Sequence, residues 1–182
     1  MKNTTFYIEN TQNKTLASRN YASIANVRKR VLQQMFEYNG IQNHRMREVA
    51  TVKGVKFIDD AAALCANSTW FMLESLNQNA IWIIGCERYY ELKSKNYEEL
   101  STLIPSASEK VRILINIGNE DRLKPFVGIV PTMINVANVE EAVKIAYEYA
   151  SNDDVVVFSP ACGEKENVSI NATNYIRAIN EL

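Results

Sequence analysis

Glycine is scarce in this chain: six in 182 residues, at positions 40, 54, 85, 118, 128 and 163. None lies in a GxxxxGK[ST] or GxGxxG pattern, so neither a P-loop nor a dinucleotide fingerprint is present. Histidine is scarcer still. With His44 alone and no GxSxG, a serine hydrolase triad is unsupported, and without a CxxC pair a zinc site lacks ligands. The three cysteines, Cys65, Cys86 and Cys162, are odd in number, far apart and in or near apolar runs. They imply reduced thiols in a reducing compartment, not a disulfide framework. Twenty basic residues stand against twenty-one acidic ones, so no positive excess marks a nucleic-acid footprint. No stretch approaches the roughly 20 apolar residues of a membrane span, and MKNTTFYIENTQNK holds no signal-peptide core. The absences together predict a soluble cytoplasmic protein with neither nucleic acid nor membrane as partner.

What is present is ordinary globular composition, 47% hydrophobic and 23% charged, at a length suited to one domain with a short arm. Residues 1–20 are polar apart from Thr5-Phe6-Tyr7-Ile8 and read as an arm. The apolar positions Ile24, Val27, Val31, Leu32, Met35 and Phe36 predict an amphipathic helix over 22–38, ended by Asn39-Gly40. Two alternating runs, 47–52 and 55–58, meet at Lys53-Gly54 and predict a β-hairpin. Helices and apolar runs then alternate. A helix capped by Asn67 or Ser68 runs to about 76, and a strand follows at 80–85. A helix at 97–104 leads to a strand at 111–118, then a short helix at 120–126 and a short strand at 133–136. A helix at 139–150, a strand at 154–158 and a closing helix at 171–181 complete the pattern. Continuous apolar strands between amphipathic helices specify an α/β fold, a Rossmann-like three-layer α/β/α domain with a mostly parallel sheet behind the hairpin. Ligands of such sheets bind beyond the strands' carboxyl ends, here near Gly85-Cys86-Glu87, Gly118-Asn119 and Ser159-Pro160-Ala161-Cys162.

Four local features carry polar chemistry. Asn43-His44-Arg45 reads by spacing alone as a helix-to-strand connection with a solvated cation, with a cation for a phosphate as the functional alternative. Asp59-Asp60 offers two carboxylates for a ribose or a metal, or a cap for the next segment. The stretch ERYYELKSK, 87–95, carries Arg88, Lys93 and Lys95 and reads as an anion-binding or a solvated loop. Cys162 is a candidate nucleophile or a buried structural thiol.

In order along the chain, Gly40-Ile41-Gln42-Asn43-His44-Arg45, Val55-Lys56-Phe57-Ile58-Asp59-Asp60, Asn67-Ser68-Thr69 and Ser159-Pro160-Ala161-Cys162 resemble the C-terminal domain of Mur ligases. Within that family they look most like the UDP-N-acetylmuramoylalanine–D-glutamate ligases of peptidoglycan synthesis. The resemblance spans 40–182, the glutamate-ligase domain, and 1–39 is left as an arm and helix that echo the family's central domain. It implies a domain that binds the incoming amino acid and closes over a nucleotide held by a central P-loop domain. By that resemblance His44, Arg45 and Asp60 are nucleotide-contact candidates. Lys93, Ser159 and Cys162 are amino-acid-contact candidates. ATP or ADP is the cofactor to consider; no catalytic residue and no metal ligand are assigned.

The chain also departs from the family. Where the pattern is close to INDSKATN it reads Ile58-Asp59-Asp60-Ala61-Ala62-Ala63-Leu64-Cys65, so Ala62 replaces a lysine and Leu64 a threonine. Neither can meet an anion. Cys86 stands at the second glycine of a glycine-rich turn. The segment after SPAC is shortened to Gly163-Glu164-Lys165-Glu166-Asn167-Val168, with Glu164 about where a serine would be. The expectation is a pseudoenzyme with an ATP-binding remnant, inactive alone, acting as partner of a Mur ligase or another cell-wall enzyme. The alternative is the C-terminal half of a split ATP-dependent amino-acid ligase. An unrelated small-molecule-binding α/β domain, its matches due to chance, is the third reading.

Overall fold

The computed structural model describes residues 42–86 and 99–182, which belong to one compact unit. The expected arm and helix over 1–39, and the 87–95 loop with Lys93, lie outside the described residues. The hairpin forms as the alternation dictates. β1 (Arg47–Val52) and β2 (Val55–Asp59) pair antiparallel, Val52 opposite Val55. Their connection takes positive φ at both Lys53 (46°) and Gly54 (89°), the geometry of a tight hairpin turn whose twist matches the strands.

Beyond the hairpin the chain runs through α1 (Ala66–Ser75), β3 (Ala80–Gly85), α2 (Ile104–Lys110) and β4 (Val111–Ile117). A 3-10 helix (Glu120–Phe126), β5 (Thr132–Val136), α3 (Val139–Tyr149), β6 (Val155–Phe158) and α4 (Val168–Asn180) follow. The six strands lie in the order β1-β2-β6-β3-β4-β5, all parallel except β1. Side chains of the central strands alternate between two cores. Ile81, Ile83, Ile115, Val156 and Phe158 face α3 and α4, while Trp82, Ile84, Leu114, Val155 and Val157 face α1, α2 and the 3-10 helix. Both faces are covered, which is why these strands are apolar without interruption.

Local boundaries differ from the sequence reading for identifiable reasons. A helix is present at Ile104–Lys110, where the expected one ended, because Pro105 sits in its first turn, where a missing N–H costs nothing. The expected helix at 120–126 is 3-10 in form and contains Pro125. The cap position of α1 is Cys65, whose side chain caps no backbone N–H but meets the hydroxyl of Ser68, buried inside the first turn, at 3.3 Å. The closing helix begins at Val168, three residues earlier than expected. For α3, Asn138 accepts from the Glu141 N–H and the Glu141 carboxylate accepts from the Ala137 N–H, a reciprocal cap.

Candidate functional site at the carboxyl ends of β2, β6 and β3

Parallel pairing sets Asp59 beside Phe158 and Ile83 beside Phe158, so the residues just past β2, β6 and β3 emerge along one edge. Asp60 and Ser159 thus become neighbours although 99 residues apart. Asp60 is fully buried. Its backbone N–H donates to the Phe158 carbonyl at 3.0 Å. Its carboxylate accepts from the Met46 N–H at 3.1 Å and from the Ser159 hydroxyl at 2.7 Å, and pairs with Arg45 Nη1 at 2.9 Å. Since Ser159 gives its proton to Asp60, its oxygen is left to accept from Thr69 at 2.9 Å. The Trp82 indole N–H donates to the Ser159 carbonyl at 2.8 Å, and Arg45 Nη2 donates to the Ser68 carbonyl at 3.2 Å. β2, β6, β3, α1 and the segment before β1 therefore meet in one polar knot with little access to water.

Burial dominates the electrostatics there. It pushes the Asp60 carboxyl up to about 7, against the pull of Arg45 and of the bonds from Ser159 and Met46, and it lowers the Arg45 guanidinium. Beside the knot, His44 Nδ1 lies 2.7 Å from Asp59 Oδ2, and Asp59 Oδ1 accepts from the Ala61 N–H at 3.0 Å. Asp59 is fully buried and the His44 side chain 23% exposed, so His44 is the member of this corner that reaches solvent.

The adjoining corner is different. Gly85 takes φ +90°, and a Cβ there would stand 2.4 Å from the Ile117 carbonyl oxygen, so glycine is obligatory. Its N–H donates to the Pro160 carbonyl at 3.0 Å. That bond brings the next residue, Cys86, against Cys162, with sulfurs 3.6 Å apart and both side chains buried. The Cys162 thiol is raised well above its ordinary range, first by its hydrogen bond with Cys86 and then by burial, while nearby Arg122 pulls the other way. Arg122 itself is only 1% exposed.

Of the residues singled out from sequence, His44, Arg45, Asp60 and Ser159 are brought together, and Cys162 lies across Pro160 at the thiol corner. Asp60, Arg45 and Ser159 hold one another. Ala62 and Leu64 sit against the α3–α4 core, with the Ala62 N–H donating to the His44 carbonyl at 3.1 Å. Glu164 is exposed. The sequence reading missed the indole bond from Trp82, the buried Arg122 and the meeting of Cys86 with Cys162. All three depend on contacts across the sheet edge, and only the polar tip of a tryptophan in an apolar strand gave any local sign. Among the described residues no group of three or more His, Cys, Asp or Glu could hold a metal ion, and no helix is long and apolar enough to cross a membrane.

No family model matches the chain. It is similar to the UDP-N-acetylmuramoylalanine–D-glutamate ligase of Christiangramia forsetii, 32% identical over 150 residues, covering 81% of this chain and 32% of that protein. It is also similar to the ligase of the same name from Porphyromonas gingivalis, 37% identical over 119 residues, with 65% and 25% covered. The chain thus spans a third or less of the length of these curated relatives. Among solved structures, a MurF ligase from Thermotoga maritima in complex with ADP matches with a TM-score of 0.52 at 14% identity, over 76% of this chain and 31% of that one. A murein peptide ligase from Psychrobacter arcticus matches with a TM-score of 0.52 at 12% identity, over 77% and 30%. At such identities the likeness is one of fold.

Proposed function

Because this chain belongs to the UDP-N-acetylmuramoylalanine–D-glutamate ligase family of peptidoglycan synthesis and carries the Mur ligase C-terminal type of domain, we propose that it is a non-catalytic member, acting as a binding or regulatory partner of a Mur ligase or another cell-wall enzyme. The observation that carries this reading is the closed state of the corner itself. Asp60 is fully buried and its oxygens are taken by Arg45, Met46 and Ser159, so the family-like polar residues hold the fold together. Next to it, where the resemblance implies a lysine and a threonine, Ala62 and Leu64 pack against apolar neighbours and offer no hydrogen bond to an anion. Exposed Glu164 adds a negative charge on the side where an amino-acid carboxylate would arrive.

The test uses the purified chain and the UDP-N-acetylmuramoylalanine–D-glutamate ligase of the same organism. Calorimetry of the chain with D-glutamate and with ADP is expected to give no binding heat. Mixing it with the ligase is expected to give a stoichiometric complex and a changed kcat/KM. ADP binding that is abolished by Arg45→Ala while the variant keeps the circular dichroism of the folded chain would show that His44, Arg45 and Asp60 still form a nucleotide half-site. Failure to bind any Mur ligase would overturn the partner reading. The second reading, the C-terminal half of a split ligase, draws on the third or less of the relatives' length that the chain covers. Turnover restored to a ligase truncated before its own C-terminal domain would establish it instead.

A further inference from the structure

The thiol corner carries an inference independent of any partner role. β3 and β6 pair in parallel up to Ile83 and Phe158, and the Gly85 N–H to Pro160 carbonyl bond carries that pairing past the strand ends. The chain therefore leaves the sheet on both sides with Cys86 and Cys162 abreast, 76 residues apart in sequence and 3.6 Å apart at sulfur. Neither is in a disulfide, and the two are 2% and 4% exposed. The turn at Gly163, φ +109°, lays backbone against the pair: a Cβ there would be 3.7 Å from the Cys86 sulfur. Closing the 3.6 Å gap to the about 2.0 Å of a disulfide takes a movement of about 1.6 Å.

We propose that Cys86 and Cys162 form a redox-active thiol pair that reacts with a peroxide-class oxidant, closing to an intrachain disulfide and reopening with a small-thiol reductant. One thiolate attacks a peroxide oxygen and breaks the O–O bond, giving a sulfenic acid and, after proton transfer, one water. The second sulfur displaces the sulfenic hydroxyl, which leaves as a second water with that thiol's proton. Two thiols are oxidised and one peroxide is reduced to two waters. Reduction by an added dithiol returns both protons and oxidises that dithiol. Arg122, beside Cys162, offsets only in part the hydrogen bond from Cys86 and the burial that raise this thiol, so the thiolate is scarce and the reaction slow. The bridge would tie the exit of β3 to the loop after β6, at the edge where α/β sheets bind their ligands.

The experiment treats the full chain with hydrogen peroxide and follows it by intact mass and thiol titration over hours. Titratable thiols are expected to fall from three to one, with Cys65 remaining, and digestion should recover a peptide pair joined through Cys86 and Cys162. Dithiothreitol should restore three. The oxidised protein should melt about 5–10 °C higher, since a 76-residue loop is closed in the unfolded state. Phenylarsine oxide, which needs two sulfurs at once, should bind one equivalent in the wild type and in Cys65→Ser but none in Cys162→Ser. The proposal is overturned if Cys86 and Cys162 stay reduced while Cys65 is oxidised, or if the recovered disulfide includes Cys65. An arsenical stoichiometry unchanged by Cys162→Ser would overturn it as well.

Discussion

Two corners of the same sheet edge, a few residues apart, are built from opposite materials. At the ends of β2 and β6 a carboxylate, a guanidinium, two hydroxyls and an indole satisfy one another in a buried network. At the ends of β3 and β6 two thiols meet, with Gly163 against them. The first corner is held by directional bonds whose partners are costly to remove, because each leaves a buried polar group behind. The second is held by packing, which tolerates loss of a small atom but allows covalent closure. The edge lies where α/β sheets bind their ligands, but its polar groups on one side are turned inward and its thiols on the other face each other.

The largest effect should come from opening the first corner. Arg45→Met, measured by urea unfolding at pH 8, should cost about 3–5 kcal/mol, because the Ser68 carbonyl and the Asp60 carboxyl lose their buried donor and the carboxyl, freed from the guanidinium, has to take up a proton at that pH. Adding Asp60→Asn should recover part of that loss. A double variant as unstable as the single one would mean that Arg45 contributes through packing, and the contrast between the corners would collapse.

A smaller effect follows from the proton on Asp60. In the unfolded chain its carboxyl titrates near 3.8, and in the fold near about 7. Between those values the folded state keeps a proton that the unfolded state has released. This contribution to stability is therefore greatest below about pH 4, declines as pH rises, and levels off above about 7. It should amount to about 2–4 kcal/mol across the window. Asp60→Asn should flatten that part of the profile, read as the difference in urea midpoints between the two proteins at pH 4.5 and 7.5. A slope unchanged by the substitution would place the titrating group elsewhere.

The smallest effect belongs to the thiol corner. Cys86→Ala should cost only about 1 kcal/mol under reducing conditions, the loss of one buried sulfur from a packed site. A cost as large as that of Arg45→Met would show that the two corners are energetically alike.

Much of this was legible in the sequence. Uninterrupted apolar strands between amphipathic helices require a sheet covered on both faces, and Lys53-Gly54 requires a hairpin. The family resemblance rests on short motifs in order, and His44, Arg45, Asp60 and Ser159 among them do gather at one edge. Helix ends were less legible, because Pro105 opens a helix as readily as a proline closes one. The partners of the polar residues could not be read at all. Nothing local to Asp60 says whether its carboxylate faces solvent or a serine 99 positions later. Local pattern determined the elements, the layers and the edge where chemistry would lie, because periodicity and turn stereochemistry act over a few residues. Only the tertiary structure decided that the acid is enclosed and that Cys86 meets Cys162, because strand order sets which distant ends emerge together.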